Sequence, residues 1–275
     1  MIIGITGSYG LLGSILTKTL NHHKIIRFKG DIRKSKDIAK WLMNNNFDAI
    51  IHLAAIVPIN QINKNKRNAK IVNFYGTKKL IDCMNKNINI NKKKIWFFYA
   101  STSHVYNFSK KKISEKKKTN PISYYGKTKL LGENYIKKNS DKFNYCIGRI
   151  FSFTSKKQKK SYFIPSLINK LNSSRKKIYF TDVNHYRDFL IDEDIVNGIK
   201  KLLIYRATGI YNICSGKKIN LIKLINYLNI TKNKKIIIEK NENYTMLVGD
   251  NKKLKKLKWK PKKIKYLKYL QKNII

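Results

Sequence analysis

Short apolar runs alternate with amphipathic segments along the first 150 residues of the chain. The apolar runs are continuous, which is typical of parallel strands buried on both faces of a sheet, and the segments between them carry apolar residues at helical spacing. Strands are predicted over residues 1–5, 24–28, 48–57, 94–100 and 144–151, and helices over residues 14–20, 35–44, 69–84 and 125–137. This pattern predicts an α/β fold, a Rossmann-like doubly wound parallel sheet.

The alternation loosens after residue 151. A charged loop is predicted over 155–161, helices over 164–171, from Asp192 and over 221–228, strands over 177–180, 209–213 and 236–239, and then a Lys-rich helical tail. We therefore predict a dinucleotide-binding domain over 1–155, to which 181–214 contributes, and a smaller, partly interleaved substrate-binding lobe formed by 156–180 and 215–275. A ligand cleft is expected between the two parts.

The charge balance is extreme, with 60 Lys+Arg against 15 Asp+Glu and a formal net charge of +45. Such a balance first suggests a nucleic-acid binder, because basic side chains neutralise phosphates. Only seven of these residues are Arg, which base and phosphate contacts favour, and the Lys residues are spread along the whole chain. We read the charge as a compositional bias and expect no specific nucleic-acid partner.

The cysteines and the hydropathy limit the protein class further. Cys83, Cys146 and Cys214 are too few and too scattered for a disulfide framework or a zinc site, so a reducing compartment and no bound metal are expected. The chain shows no basic leader and no run of 18 apolar residues. These features predict a cytoplasmic protein that does not contact a membrane.

Three glycines lie between the first strand and the first helix, at Gly7, Gly10 and Gly13. A tight turn here brings the backbone close to a pyrophosphate, and the positive end of the helix dipole attracts that anion. The spacing is G-x-x-G-x-x-G rather than the common G-x-G-x-x-G. Its place at the first strand–helix junction predicts dinucleotide binding.

Tyr125 and Lys129 occupy positions i and i+4 of the predicted helix and so share one helix face. A nearby ammonium favours the phenolate, which would let the Tyr exchange a proton with a substrate hydroxyl or carbonyl. The alternative interpretation of this spacing is an ordinary surface helix in a chain rich in Tyr and Lys.

The hydroxyl side chains of Ser101, Thr102 and Ser103 follow the fourth strand, where open α/β sheets bind ligands.

Several segments, in this order, resemble the extended short-chain dehydrogenase/reductase family of NAD-dependent epimerase/dehydratase type. They are TGSYGLLG (6–13), GDI (30–32), HLAA (52–55), VNFYGT (72–77), ASTSHVY (100–106), YYGKTKLLGE (124–133), YRDFLIDED (186–194), YNICSG (211–216) and DNKKLKKLKWKP (250–261). Within the family, the chain looks most like nucleotide-sugar epimerases and dTDP-4-dehydrorhamnose reductase-like ketoreductases.

The resemblance implies roles for particular residues. It implies four catalytic residues. Thr102 would hydrogen-bond the sugar oxygen, and Tyr125 would be the general acid/base. Lys129 would lower the Tyr125 pKa and hold the nicotinamide ribose, and Asn73 would help to order the site. For the cofactor it implies Gly7, Tyr9, Gly10, Leu11, Leu12, Gly13, Arg27, Asp31, Ile32, Leu53, Ala54 and Ala55 besides Tyr125 and Lys129. For the substrate it implies Ser101, Thr102, Ser103, Ser152 and Arg187, with an ion pair to Asp188 or Asp192 as the alternative for Arg187.

Two departures from the family pattern narrow the reaction. Ser103 and His104 occupy the positions where the family's dehydratases carry an acidic pair, so sugar dehydration is not expected. His104 can act as a base, but an ordinary hydrogen bond at a strand end is the favoured reading. Ser152 stands where many epimerases have Asn, which puts the substrate contacts there in doubt.

The cofactor choice depends on the end of the second strand. Asp31 lies near the offset at which an acid binds a ribose 2′-hydroxyl, but the resemblance places Asp31 and Ile32 beside the adenine. The ribose then falls near residues 27–29, where no carboxylate stands and Arg27 or Lys29 can accept a 2′-phosphate. NADP is therefore favoured over NAD.

The resulting hypothesis is an NAD(P)-dependent oxidoreductase or epimerase that acts on a nucleotide-activated sugar, by 4-keto reduction or 4-epimerisation, as a homodimer. In both reactions hydride transfer is combined with a Tyr acid/base. The alternative from another class is a non-catalytic relative that binds a dinucleotide, or RNA through its basic surface.

Overall fold

The computed structural model describes residues 1–57, 59–87, 94–239, 244–262 and 269–270. Its strands are β1 (Ile2–Thr6), β2 (Lys24–Arg27), β3 (Ala49–His52), β4 (Ile95–Thr102), β5 (Phe143–Ile150), β6 (Ser152–Thr154), β7 (Lys177–Phe180), β8 (His185–Arg187), β9 (Phe189–Ile191), β10 (Gly209–Ile213), β11 (Ile219–Asn220), β12 (Lys235–Ile238) and β13 (Thr245–Leu247). Its α-helices are α1 (Leu11–Thr19), α2 (Ser35–Met43), α3 (Ile59–Lys64), α4 (Lys66–Lys70), α5 (Gly76–Asn87), α6 (Tyr124–Lys138), α7 (Phe163–Leu171), α8 (Asp192–Ile204), α9 (Leu221–Asn229) and α10 (Lys252–Lys255).

Six parallel strands form the main sheet, in the spatial order β10-β5-β4-β3-β1-β2. The order reverses direction between β1 and β3, and a crevice at such a point is where open α/β sheets bind ligands. Successive side chains of β4 enter the two hydrophobic cores on opposite faces of the sheet, with Trp96 and Phe98 on one side and Phe97 and Tyr99 on the other. Burial on both faces explains why the strands read as continuous apolar runs, and the predicted fold class is confirmed.

A third apolar core lies outside the main sheet and belongs to the later part of the chain. Helices α7 and α9 contribute Leu167, Leu171 and Leu224 to it, and the parallel pair β7–β12 packs against them. The later part of the chain also contributes a strand to the main sheet, because β10 pairs with β5 at the edge of that sheet. Leu254 and Trp259, which the prediction assigned to the second lobe, pack in a core of the main sheet. Elsewhere the domain division stays a prediction.

The predicted elements of the first 150 residues are present, with two differences. The third strand ends at His52 rather than at residue 57, and a π-helical turn over Ile71–Tyr75 joins α4 to α5 where one helix was expected. The two differences meet in space, because the Asn73 side chain of the π-helical turn binds the backbone of Ile56 in the segment after β3. After residue 239 the described residues hold β13 and the short helix α10 rather than a continuous Lys-rich helical tail, while residues 240–243, 263–268 and 271–275 lie outside the described part of the chain. Among the described residues, no helix combines the length and apolar character needed to cross a bilayer.

Candidate active site

The turn after β1 is shaped by its glycines. Gly7 has a φ of +69°, in the left-handed region, and a Cβ on it would lie 2.7 Å from the Ala54 nitrogen. A Cβ on Gly13 would lie 2.2 Å from the Gly7 carbonyl oxygen, so helix α1 packs against the turn only with glycine there. Gly10 is the N-cap residue of α1 and no side chain caps the helix, which leaves first-turn N–H groups for an anion.

A cavity of about 810 Å³ opens beside this turn, and we call it the glycine-turn cavity. Its lining residues are Gly7, Tyr9, Gly10, Phe28, Lys29, Gly30, Asp31, Ile32, Arg33, Ala54, Asn68 and Val72. Other predicted cofactor residues support its wall, since Leu12 and Leu53 pack on the core and the Arg27 guanidinium lies 5.2 Å from the Tyr9 ring centroid. Leu11 begins α1 and Ala55 follows β3, both partly exposed and outside the lining.

The carboxylate of Asp31 is bound by Arg33, whose Nη2 lies 2.7 Å from it. This pairing is the main reason that the pKa of Asp31 is lowered to about 2. Both Lys29 and Arg33 line the glycine-turn cavity. Asp31, the only acid among the described residues of the cavity wall, is therefore already paired with Arg33. Lys29, the other cation of the wall, is not part of this ion pair.

These features fit a dinucleotide. The uncapped helix end and the backbone of the turn would hold the pyrophosphate, because N–H groups and the helix dipole both attract an anion. Asp31 and Ile32 line the cavity, as the resemblance predicts for residues that flank an adenine. When bound, a nicotinamide dinucleotide supplies a hydride acceptor or donor, which no protein side chain can do.

The end of β4 meets the start of α6. Thr102 is the last residue of β4, and its hydroxyl accepts a hydrogen bond from the His104 N–H at 3.2 Å. A Cβ on Gly126 would lie 2.1 Å from the His104 carbonyl oxygen, which shows how closely α6 packs on this turn. The rings of His104 and Tyr125 are in contact edge to face, with centroids 6.1 Å apart. The fold therefore brings together Thr102, His104 and Tyr125.

Tyr125 and Lys129 are both buried, and burial acts on each in the direction that opposes charge. Burial raises the pKa of Tyr125, and the neighbouring Tyr162 adds to the rise. Burial lowers the pKa of Lys129 to about 7, against the opposing effect of Glu133. The expectation that Lys129 depresses the Tyr125 pKa does not describe this structure, because desolvation dominates at the phenol and weakens the charge of the Lys. Tyr125 is thus protonated at neutral pH.

The ammonium of Lys129 lies over an aromatic ring, 4.0 Å from the centroid of Tyr99. Gly132, one turn further along α6, lets the Tyr99 hydroxyl approach the helix, since a Cβ there would lie 2.3 Å from that oxygen. The helix face that carries Tyr125 and Lys129 is therefore fixed against β4 by packing as well as by hydrogen bonds.

Asn73 connects three elements of the site. Its amide accepts from the Ile56 N–H at 2.7 Å and donates to the Ile56 carbonyl at 2.9 Å and to Thr128 at 3.3 Å. The Thr128 hydroxyl in turn donates to the Tyr125 carbonyl at 2.8 Å. This agrees with the expected ordering role, because the contacts tie the segment after β3 to the catalytic helix.

His52, which the sequence reasoning did not single out as a site residue, lies behind this network. Its ring is 2.6 Å from the Thr6 hydroxyl and 3.0 Å from the Thr77 hydroxyl. Thr77 already donates its proton to the Asn73 carbonyl, so it accepts from His52 Nε2, and Nδ1 accepts from Thr6. Burial, with the charge of Lys129, lowers the pKa of His52 to about 3. The neutral ring thereby links β1, β3 and α5.

A buried charged pair lies beneath the same helix. Glu133 and Arg149 are 2.6 Å apart, with 0% and 3% of their side chains exposed. The Ser101 hydroxyl donates to Glu133 at 2.5 Å, so this predicted substrate residue lies in the buried pair's network rather than in a cavity wall. Ser103 is also buried, with its carbonyl bound by the Tyr106 N–H. Neither serine lines the cavity that lies past the end of β4.

A second cavity, of about 440 Å³, lies past the end of β4, and we call it the strand-end cavity. It is lined by Ile59, Asn63, His104, Phe108, Ile122, Ser123, Tyr124, Arg187 and Leu247. Of the predicted substrate residues only Arg187 lines it, while Ser152 pairs in β6 opposite Phe189. The other lining residues come from segments distant in sequence, and apart from His104 in ASTSHVY and Tyr124 in YYGKTKLLGE no motif indicated them. Both parts of the chain contribute, as expected for a cleft between them.

Arg187 is held by neutral oxygens. Its Nη1 donates to the Tyr186 carbonyl at 2.9 Å and to the Thr245 hydroxyl at 3.0 Å. Asp188, one alternative partner from the sequence, instead accepts from Ser215 and from the Gly216 N–H. Burial lowers the pKa of Arg187 to about 10, so the group remains charged at neutral pH. A cation in this setting suits an anionic part of a substrate.

Comparisons with known proteins agree with this geometry. The chain is 26% identical over 212 residues to the dTDP-4-dehydro-6-deoxyglucose reductase of Escherichia coli, a match that covers 75% of this chain and 66% of that protein. It is 28% identical over 235 residues to an uncharacterized UDP-glucose epimerase, YtcB, of Bacillus subtilis, covering 74% and 72%. The structure of RMD from Pseudomonas aeruginosa, complexed with NADPH, has a TM-score of 0.86 at 20% identity and covers 99% of this chain and 97% of that one.

The model of the NAD dependent epimerase/dehydratase family matches residues 3–214. This range includes the glycine turn, the end of β4, the helix with Tyr125 and Lys129, and Arg187. Because the match covers well over half of the chain, the chain belongs to the NAD-dependent epimerase/dehydratase family.

Proposed function

We propose that this enzyme reduces the 4-keto group of a nucleotide-linked sugar, with NADPH as reductant. The observation that carries the proposal is Tyr125, a buried phenol kept protonated by its surroundings, whose ring contacts His104, the residue whose N–H binds the Thr102 hydroxyl at the end of β4. A keto oxygen that becomes an alkoxide needs a proton donor at that place, and Tyr125 is in the donor state at neutral pH.

Each residue has one task in this reaction. Thr102 and Tyr125 hold the keto oxygen, and Tyr125 gives it a proton as hydride reaches the sugar carbon. Lys129 lies one helical turn from Tyr125 on the same helix face, where it would bind the nicotinamide ribose. Asn73 holds α6 and the segment after β3 together through its hydrogen bonds to Thr128 and Ile56. Arg187 binds the nucleotide diphosphate from the strand-end cavity.

The wall of the glycine-turn cavity supports NADPH over NADH. Lys29 and Arg33 line it, and its carboxylate, Asp31, is engaged with Arg33 rather than free to bind a ribose 2′-hydroxyl. A 2′-phosphate would find two cations there. The NADPH in the RMD structure is consistent with this choice. Lys29→Ala should therefore raise the KM for NADPH more than that for NADH.

Epimerisation at C4 is the second candidate, and the likeness to the UDP-glucose epimerase of Bacillus subtilis favours it. In that reaction hydride leaves and returns to the same sugar carbon, and Tyr125 first accepts the hydroxyl proton. With its pKa raised by burial, Tyr125 is present as the phenol, which can donate a proton but cannot accept one from a sugar hydroxyl, so the surroundings of Tyr125 favour reduction.

The test uses purified enzyme with 4-keto-6-deoxyhexoses linked to dTDP, UDP and GDP, followed by absorbance of the reduced nicotinamide. Stoichiometric oxidation of NADPH, with formation of the 4-hydroxy sugar, is expected for at least one of them. Interconversion of UDP-glucose and UDP-galactose without net cofactor change would instead identify a 4-epimerase. Inactivity in both assays, with dinucleotide still bound, would refute the proposal and favour a non-catalytic relative.

A further inference from the structure

His185 is a buried residue of the small sheet formed by β11, β8 and β13. It lies two positions before Arg187 in β8, so the two side chains leave the same face of that sheet. His185 lines neither the glycine-turn cavity nor the strand-end cavity, and the proposed reduction gives it no task. Its contacts nevertheless lead to the guanidinium of Arg187.

Both ring nitrogens of His185 have a partner. Nε2 lies 2.8 Å from the carboxylate of Asp182, and Nδ1 lies 3.2 Å from the backbone nitrogen of Thr245. A carboxylate accepts hydrogen bonds, so Nε2 carries the proton and donates it. Nδ1 is then the acceptor that the Thr245 N–H needs. The two contacts fix one tautomer and one orientation of the ring.

Thr245 connects this ring to Arg187. It is the first residue of β13 and pairs with His185 across the two parallel strands. Its N–H is bound by His185, whereas its carbonyl and its hydroxyl accept from Arg187 Nη1 at 3.2 Å and 3.0 Å. A shift of the Thr245 backbone would therefore move two of the acceptors that hold the guanidinium.

The guanidinium of Arg187 is held on one side and open on the other. Nη1 makes the contacts to Thr245 and to the Tyr186 carbonyl, and the Phe108 ring centroid lies 5.4 Å from the guanidinium carbon. Among the described residues, Nε and Nη2 have no hydrogen-bond acceptor. These two N–H groups form the edge that binds a phosphate in a bidentate manner, so affinity depends on the angle at which the planar group is held.

We propose that His185 is a positioning residue, which fixes Thr245 and thereby orients the Arg187 guanidinium toward the diphosphate of the substrate. This inference rests on the proposed function for the role of Arg187. His185 touches no substrate atom in this arrangement. Its contribution is to the affinity for the nucleotide, and the transfer of hydride and proton at the sugar does not depend on it.

His185→Leu and His185→Asn form a matched pair. Leu removes the acceptor of the Thr245 N–H, whereas the Asn Oδ1 can take the place of Nδ1 and keep that hydrogen bond. The affinities of both variants for dTDP, UDP and GDP are measured by calorimetric titration without dinucleotide. For the nucleotide that the unaltered protein binds most tightly, His185→Leu should raise Kd about 10-fold or more, since a hydrogen bond to a charged group contributes about 10- to 100-fold. His185→Asn should restore most of the affinity.

A double-mutant cycle with Arg187→Gln distinguishes positioning from a general structural role. If His185 acts through Arg187, His185→Leu should add no further rise in Kd once Arg187 is replaced. Additive effects would overturn the proposal, and so would equal losses in His185→Leu and His185→Asn. Circular dichroism and the affinity for NADPH, which should not change, report whether the variants are folded.

Kinetics separate this inference from the proposed reduction. The KM for the sugar nucleotide should rise in His185→Leu by the same factor as Kd, with kcat nearly unchanged. Reduction with an unchanged nucleotide Kd in His185→Leu overturns the role of His185 and leaves the reduction intact. The expected pattern of Kd values without any NADPH oxidation supports the role of His185 and refutes the reduction. An unchanged Kd in Arg187→Gln overturns the binding role of Arg187 and this inference together.

Discussion

Gly13→Ala tests whether the glycine turn is built for close packing of α1 and thereby for the cofactor. The added Cβ would lie 2.2 Å from the Gly7 carbonyl oxygen and 2.7 Å from the Ser8 Cα. Ordinary contacts need a separation about 1 Å longer, so the first turn of α1 has to move away from the residues that face the pyrophosphate. Overpacking of this kind costs about 1–3 kcal/mol of stability.

The loss of affinity follows from the contacts that the shift disturbs. A hydrogen bond to a charged group contributes about 1.5–3 kcal/mol, so loss of one backbone contact to a pyrophosphate raises Kd about 10- to 100-fold. Calorimetric titration of the variant with NADPH and with NAD measures this change. Urea denaturation of the same preparation gives the free energy of unfolding.

Gly198→Ala is the control, since Gly198 is also a helical glycine but a Cβ there would meet its nearest atom at 3.4 Å. Both substitutions gain about the same helix propensity, up to about 1 kcal/mol. We expect Gly198→Ala to keep or raise stability with an unchanged Kd. An unchanged Kd in Gly13→Ala as well would refute the link between this packing and cofactor binding.

Three further predictions concern the buried groups of the site. Tyr125→Phe should lower turnover about 10²–10⁴-fold with little change in dinucleotide Kd, and normal turnover would remove its assignment as proton donor. Glu133→Gln should lower the free energy of unfolding by about 3–5 kcal/mol in urea denaturation, because it leaves Arg149 buried without its carboxylate, and a much smaller loss would count against the pair. The pKa of His52 is lowered from 6.5 to about 3, so the unfolded chain binds a proton that the folded chain does not. Stability should therefore fall as pH falls through that window, and His52→Gln should show a shallower fall under the same titration.

The fold and the cofactor side of the site could be predicted from sequence because their signals are local. Burial on both sheet faces makes β3 and β4 continuous apolar runs, and the turn between β1 and α1 requires glycine at Gly7 for its φ and at Gly13 for close packing. Such requirements appear as residue types at fixed spacing. Gly7 and Gly10 were predicted in this way, Asp31 and Ile32 from the family resemblance, and all four line the cavity.

The substrate side could not be predicted to the same extent, because it is assembled from segments far apart in the chain. Ser123, Arg187 and Leu247 meet in one cavity wall only after the two parts of the chain interleave. The face that Ser101 presents depends on the alternation of β4, which turns its hydroxyl toward Glu133. A strand-end serine next to Thr102 carries no local sign of which side it faces.

Burial distinguishes the functional lysine from the rest of a very basic chain. All but seven of the 60 basic residues are Lys, so the Tyr125–Lys129 spacing alone says little. Lys129 is 2% exposed, over the Tyr99 ring, and its pKa is lowered to about 7. Desolvation is costly for an ammonium, and a lysine that contributed only solubility would stay in water. Burial therefore separates Lys129, the candidate catalytic lysine, from the many lysines that the composition of the chain supplies.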